Sequence, residues 1–149
     1  MKKKSISFIW MAIFCCIMTT SNIAWSLEPA SLIPSGTITD TSTGLIWLKN
    51  ADCFGKLTYD AATAKVRSLQ SGACGLLDMS KSGDWRIPTL HELRNWKQNK
   101  HGWVNLKGDY YWTSTPHNND MSVVHMGFNS EGGWGKGKPV YVWPVRNAR

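Results

Sequence analysis

"DWRIPTLHEL", residues Asp84–Leu93, places a strand-to-helix corner within ten residues. Trp85 and Ile87 alternate around Arg86, the pattern of a short extended segment that turns two apolar side chains to one face. Pro88 restricts Ile87 to extended geometry and delivers the chain to Thr89. Thr89 and Glu92 stand at the spacing of a capping box, in which each side chain satisfies a free donor at the helix start. Leu90, Leu93 and Trp96 then repeat at helical spacing, which predicts a short helix ending near Asn99. Arg86 can lock the corner through a fork-type ion pair with Asp84 or Glu92. An anion-binding role for Arg86 is the competing reading. Local folding already accounts for Asp84, Trp85, Arg86, Pro88, Thr89 and Glu92, so the motif is read as structural.

Upstream, a loop spans Gly75 to Gly83. Before it, Ala62, Val66 and Leu69 form an apolar stripe that predicts a helix from Tyr59 to about Gln70, with Lys65 and Arg67 projecting elsewhere. Thr58 is the expected cap and Gly72 the expected stop. Gly36 to Lys49 reads as a hairpin, with β-prone Thr37-Ile38-Thr39, turn chemistry at Asp40–Gly44 and an apolar Leu45–Leu48 strand. Downstream, strands are expected at Tyr110–Thr115, Met121–Asn129 and Val140–Arg146, broken by a turn at Ser130–Gly133. Strand, two helices, then a run of strands argues an α+β fold, two main helices packed on a largely antiparallel sheet.

Composition fits a globule rich in turns. Of 149 residues, 42% are hydrophobic and 18% charged, which excludes a disordered chain. Met1–Ser26 reads as a signal peptide: Lys2, Lys3 and Lys4, an apolar run from Ile6 to Met18, then small residues at Ala24 and Ser26. The run is short for an uncleaved membrane anchor, so no membrane span is expected after cleavage. A lipoprotein reading of Cys15 and Cys16 is disfavoured by Ile13 and Phe14 before them. An extended segment, residues 27–35, then precedes one domain over residues 36–149. Cleavage removes three of the 17 Lys and Arg and none of the 10 Asp and Glu, so the net charge falls from +7 to +4. That excess favours an anionic surface, and with export it argues against nucleic acid. Periplasm, outer surface and extracellular space all remain open.

Only Cys53 and Cys74 survive cleavage. In an oxidising compartment the pair is most simply a disulfide, closing a loop of roughly 20 residues and stabilising by about 3 kcal/mol. A redox or metal pair is the weaker reading, because the spacing matches neither C-x-x-C nor a zinc site.

"TDTSTGLIWLK" at Thr39–Lys49, "DWRIPTLHEL" at Asp84–Leu93, "YWTST" at Tyr111–Thr115 and "VYVWPVR" at Val140–Arg146 occur in the order seen in the Lcl C-terminal domain family, which the chain resembles from about Gly36 to Arg146. The family is named for the C-terminal domain of a bacterial collagen-like adhesin. The resemblance implies a C-type-lectin-like fold, related to that of formylglycine-generating enzymes, in which an Arg-Leu-Pro-Thr-x-x-Glu segment also leads into a helix. The adhesin binds sulfated glycosaminoglycans and trimerises, so a homo-oligomer is an implied possibility. This chain has no collagen-like Gly-X-Y segment to drive it.

Tyr110-Tyr111-Trp112 beside Thr113-Ser114-Thr115 invites a carbohydrate reading, since sugars stack on aromatic faces and bond to hydroxyls. Alternation sends Tyr110 and Trp112 to one face and Tyr111 to the other, so part of the set must be core. His117–Asp120 is a polar loop; with Asp120 its sole carboxylate, a solvated turn is expected over a calcium site. Basic residues gather at Lys97, Lys100, His101 and Lys107, and again at Lys136 and Lys138 beside an exposed Trp134. Lys100, Lys107, Trp134, Lys136 and Lys138 are therefore candidate ligands for an anionic polysaccharide or cell-surface glycan. The competing partner is another cell-envelope protein. No enzyme and no cofactor are expected: His91, His101, His117 and His125 lack metal spacing, and no phosphate loop, Gly-x-Ser-x-Gly or H-E-x-x-H occurs. Cys53 and Cys74 lie in the N-terminal half, unlike the C-terminal cysteine pair of formylglycine-generating enzymes.

Overall fold

A computed structural model describes residues 35–99 and 105–148. The leader Met1–Ser26, residues 27–34, and the candidates Lys100 and His101 lie outside the described residues. The first hairpin forms where expected, from β1 (Thr37–Asp40) and β2 (Leu45–Leu48), with Ile38 opposite Trp47. Asp40 organises its turn. Its carboxylate accepts the Ser42 N–H and hydroxyl at 2.9 and 2.6 Å and the Thr43 hydroxyl at 2.7 Å. Gly36, just before β1, has φ +72°, and a Cβ there would lie 2.2 Å from the Gly75 carbonyl oxygen. Only glycine lets the two segments meet so closely.

The first helix, α1 (Tyr59–Arg67), follows the two-residue strand β3 (Lys56–Leu57). It buries Ala62 and Val66 as the stripe requires. Two details depart from expectation. Thr58 holds the N-cap position in extended geometry, but its side chain makes no capping hydrogen bond. The helix stops at Arg67 rather than Gln70, because the Arg67 carbonyl accepts the Gly83 N–H at 2.7 Å and the Ser82 hydroxyl at 2.9 Å. Those donors satisfy a free terminal carbonyl. Cys53 and Cys74 form the disulfide, their Cα atoms 5.7 Å apart.

The second helix, α2 (Leu90–Asn99), begins at the expected capping box. Glu92 Oε2 accepts the Thr89 N–H at 2.8 Å, and Thr89 Oγ1 accepts the Glu92 N–H at 3.2 Å. Of the two possible partners for Arg86, the structure selects Glu92, in a two-pronged pair at 2.8 and 2.7 Å. Asp84 instead accepts the Lys81 N–H at 2.6 Å.

The later strands are β4 (Tyr110–His117), β5 (Asp120–His125), β6 (Glu131–Trp134), β7 (Val140–Tyr141) and β8 (Val145–Asn147). They build two sheets, ordered β1-β2-β8 and β3-β7-β4-β5-β6. The predicted Val140–Arg146 strand is thus two strands in different sheets. Trp143 and Pro144 make the crossing, and proline has no N–H to continue a ladder. The predicted Met121–Asn129 strand stops at His125, whose Nδ1 accepts the N–H groups of Gly127 and Phe128 at 3.1 and 2.9 Å and turns the chain. The polar loop expected at His117–Asp120 shrinks to Asn118-Asn119, since His117 and Asp120 pair as a rung of the β4–β5 ladder. The expected turn at Ser130–Gly133 is mostly the edge strand β6. There a Cβ on Gly133 would fall 2.3 Å from His117 Cδ2, so the glycine serves close packing rather than chain reversal.

The Asp84–Leu93 corner stitches the sheets together. Arg86 exchanges both backbone hydrogen bonds with Val145 of β8, at 2.9 and 3.0 Å. Two residues on, the Pro88 carbonyl accepts the Ser114 N–H of β4 at 2.7 Å, and the Leu90 N–H reaches Thr115 Oγ1 at 2.9 Å. At the centre of the core, Trp47, Trp96 and Trp143 pack with centroids 5.0 to 5.5 Å apart. Trp143 also donates its indole N–H to the Leu48 carbonyl at 2.6 Å. Tyr111 and Trp112 are both fully buried, so the two faces of β4 are core together.

Asp78 and Arg146 form a buried pair at 3.0 Å, with the Arg146 guanidinium 5.4 Å above the Trp85 ring. Burial pushes the Asp78 carboxyl up, but bonds from Ser80 and the Arg146 charge outweigh it and hold it below the usual range. Glu92 behaves alike: burial opposes ionisation, and Arg86 with the Thr89 N–H prevails. Burial of Asp40 is likewise overcome by Ser42 and Thr43. Lowered carboxyls contribute stability that is complete above their unfolded values and lost as pH falls through the folded ones. The melting temperature is expected to be flat above about pH 5 and to fall steeply below about pH 4. Calorimetry from neutral to acid pH checks this, and a loss of stability beginning near neutrality would contradict it.

Candidate functional site

Most basic groups near the sheets are already engaged. Lys56 pairs with Asp109 at 2.6 Å, Lys107 with Asp52 at 3.2 Å, and Arg94 with Glu131. Lys97 donates to the carbonyls of His125, at 2.9 Å, and Phe128. The candidate Lys107 is therefore partly neutralised by its neighbour. A cleft of about 460 Å³ between α2 and the β5–β6 hairpin is lined by Arg94 and Glu131, bonded to each other, and by Lys97.

The second basic cluster is different. Strand order requires Gly135–Pro139 to pass across β5 and β4 from β6 to β7. Lys136 and Lys138 project from this crossing and are exposed. Neither has an acidic partner among the described residues. Lys138 Nζ lies 5.3 Å from the Trp134 ring centroid, a cation–π contact. Trp134 is not the exposed indole the sequence suggested. It is half-buried and stacked on Tyr110, centroids 5.1 Å apart at an interplanar angle of 26°. The stack continues edge-on from Tyr110 to His125 at 4.8 Å.

The crossing is anchored by a hydrogen bond from the Tyr59 N–H to the Lys136 carbonyl, 2.9 Å. Tyr59 also walls a second cavity, of about 450 Å³, between α1 and the Trp85-Arg86-Ile87 segment. Val66, Trp85 and Ile87 supply apolar lining, and Thr63, Arg67 and Ser114 supply polar groups. The Tyr59 ring is held edge-on against Trp112 at 5.3 Å. Burial raises the Tyr59 hydroxyl above its ordinary value, opposed by the Thr63 side chain and, more weakly, by the Arg67 charge. The Arg67 side chain has no ion-pair partner among the described residues.

This cavity was not anticipated, although a signal for it exists. Tyr59, Thr63 and Arg67 fall at i, i+4 and i+8, a polar stripe beside the apolar one on the same helix. The histidines are dispersed: His91 contacts Asn95, His117 covers Gly133, and His125 closes a turn. Among the described residues no cluster of His, Cys, Asp and Glu is arranged to hold a metal ion, and no helix is long and apolar enough to cross a membrane.

The mixed α+β architecture, the single disulfide and the ordered motifs agree with one assignment. The chain belongs to the Lcl C-terminal domain family, whose sequence profile matches residues 36–146. No curated protein is significantly similar to it.

Proposed function

We infer that the chain is an exported, non-enzymatic binding module of C-type-lectin-like fold, which recognises an anionic polysaccharide or cell-surface glycan in the manner of an adhesin. The observation that carries this reading is the pair Lys136 and Lys138, exposed on the β6–β7 crossing without acidic partners, where most neighbouring cations are paired. Flexible ammonium groups beside an anchored indole suit a sulfated or carboxylated chain, with attraction by charge and modest specificity. Export rests on the charged and apolar leader and on the use of cysteine. The second reading, an assembly module for another envelope protein, is favoured by the exposed Leu77, Met79 and Phe128.

Retention of the mature chain Leu27–Arg149 on heparin and on neutral glycans tests the first reading. Salt-sensitive retention on heparin alone is expected, and the double variant Lys136→Glu/Lys138→Glu should lose it. Equal retention of the double variant, or no retention of the wild type at low salt, would overturn the assignment. Apolar contacts to a protein partner would tolerate salt far better.

A further inference from the structure

We propose that the cavity between α1 and the Trp85-Arg86-Ile87 segment is the subsite that seats one acidic sugar residue of the polysaccharide, with Arg67 binding its anionic group. The proposal rests on the glycan-binding reading above and deepens it. At about 450 Å³ the cavity is within the size range of small-molecule sites and exceeds the volume of one pyranose ring.

The lining has the two-sided character a sugar requires. Tyr59, half-buried and held in position by Trp112, supplies an aromatic wall, and the buried Val66 and Ile87 close the apolar floor behind it. Several hydroxyls are committed to the fold: Thr63 donates to the Tyr59 carbonyl and Ser82 to the Arg67 carbonyl, both at 2.9 Å. The Ser114 hydroxyl and the Arg67 guanidinium keep their hydrogen-bonding capacity, having no side-chain partner among the described residues. A guanidinium binds a carboxylate or sulfate through two parallel N–H groups, which selects an acidic residue over a neutral one.

Position joins the cavity to the lysines. Tyr59, in its wall, is bonded through its N–H to the carbonyl of Lys136. The crossing that carries Lys136 and Lys138 is thus tied directly to a wall residue of the cavity. The lysines then act on the polymer's charge, and the cavity on the identity of one residue.

The test uses mature Leu27–Arg149 and two probes, a defined heparin tetrasaccharide in solution and long-chain heparin on a column. Arg67→Ala is expected to weaken tetrasaccharide binding about tenfold or more, the effect of losing a charge-assisted hydrogen bond, and the cavity-filling Thr63→Phe to weaken it as much by occupying the space. Thr63→Phe should keep most retention on long heparin, because Lys136 and Lys138 are intact. Lys65→Ala, which removes an exposed charge of α1 outside the cavity, should bind as wild type and so separates local contact from net charge. Circular dichroism confirms that each variant is folded, and Ser114→Leu provides a second cavity-filling variant should Thr63→Phe misfold. Wild-type tetrasaccharide binding in Arg67→Ala and in the folded cavity-filling variant would overturn the subsite, as would an equal loss in Lys65→Ala. In either case loss of heparin retention in the double lysine variant would leave the glycan-binding reading standing. Absence of wild-type binding to both probes would remove that reading and the subsite together.

Discussion

Trp143→Ala is expected to destabilise the fold severely, because its side chain joins several parts of the molecule. Its ring touches Trp47 at 5.1 Å, Trp96 at 5.5 Å and Tyr111 at 6.5 Å, linking the small sheet, α2 and the large sheet. Truncating a buried tryptophan costs about 3–5 kcal/mol. Loss of its N–H donor leaves the Leu48 carbonyl without that partner and adds about 1–3 kcal/mol. Domains of this size have about 5–15 kcal/mol of stability, so the combined loss is a large share of the total. Trp47→Phe is the comparison. The Trp47 indole N–H has no hydrogen-bond partner among the described residues, so that change mainly loses volume and should cost about 1–2 kcal/mol. Urea unfolding followed by near-ultraviolet circular dichroism separates the two. Equal midpoints for both variants would refute the central role given to Trp143.

Asp78→Asn should be almost as damaging. The Arg146 and Asp78 side chains are only 10% and 4% exposed, so the substitution leaves a largely buried guanidinium without its counter-charge. Removing one member of a buried pair typically costs about 3–5 kcal/mol. Replacing both members with apolar or neutral groups is usually far milder. The double variant Asp78→Asn/Arg146→Met is thus expected to be more stable than Asp78→Asn alone, despite carrying one more substitution. A double variant less stable than the single one would show that Arg146 contributes mainly by packing on Trp85.

The Asp84–Leu93 corner was legible because each of its residues has a local reason to be there. The proline, the capping pair and the helical stripe act within ten residues, and tertiary context only chose Glu92 over Asp84 as the partner of Arg86. The disulfide followed from compartment, and the first hairpin from its turn chemistry. What could not be read depends on distant partners. Ser130-Glu131-Gly132-Gly133 resembles a turn until His117 is seen lying against Gly133. Val140–Arg146 reads as one strand until the two sheets divide it. The lysines looked alike in sequence, and only the structure shows Lys107 on Asp52 while Lys136 and Lys138 lack such partners. Trp134 shows the same limit, since its burial depends on Tyr110, more than twenty positions earlier.

The pairing of β2 with β8 has a consequence in time. The small sheet sets Leu45 opposite Asn147 and Trp47 opposite Val145, so its middle strand has no second neighbour until β8 arrives, about a hundred residues later. Arg86 waits for the same strand, since its backbone partner is Val145. A chain growing from its N-terminus can close the β1–β2 hairpin early, but β8 must arrive before the sheet is complete. Such long sequence separations slow folding relative to domains built from local contacts. The small sheet is therefore complete only once β8 has been made, and until then Trp47 lacks its cross-strand partner Val145.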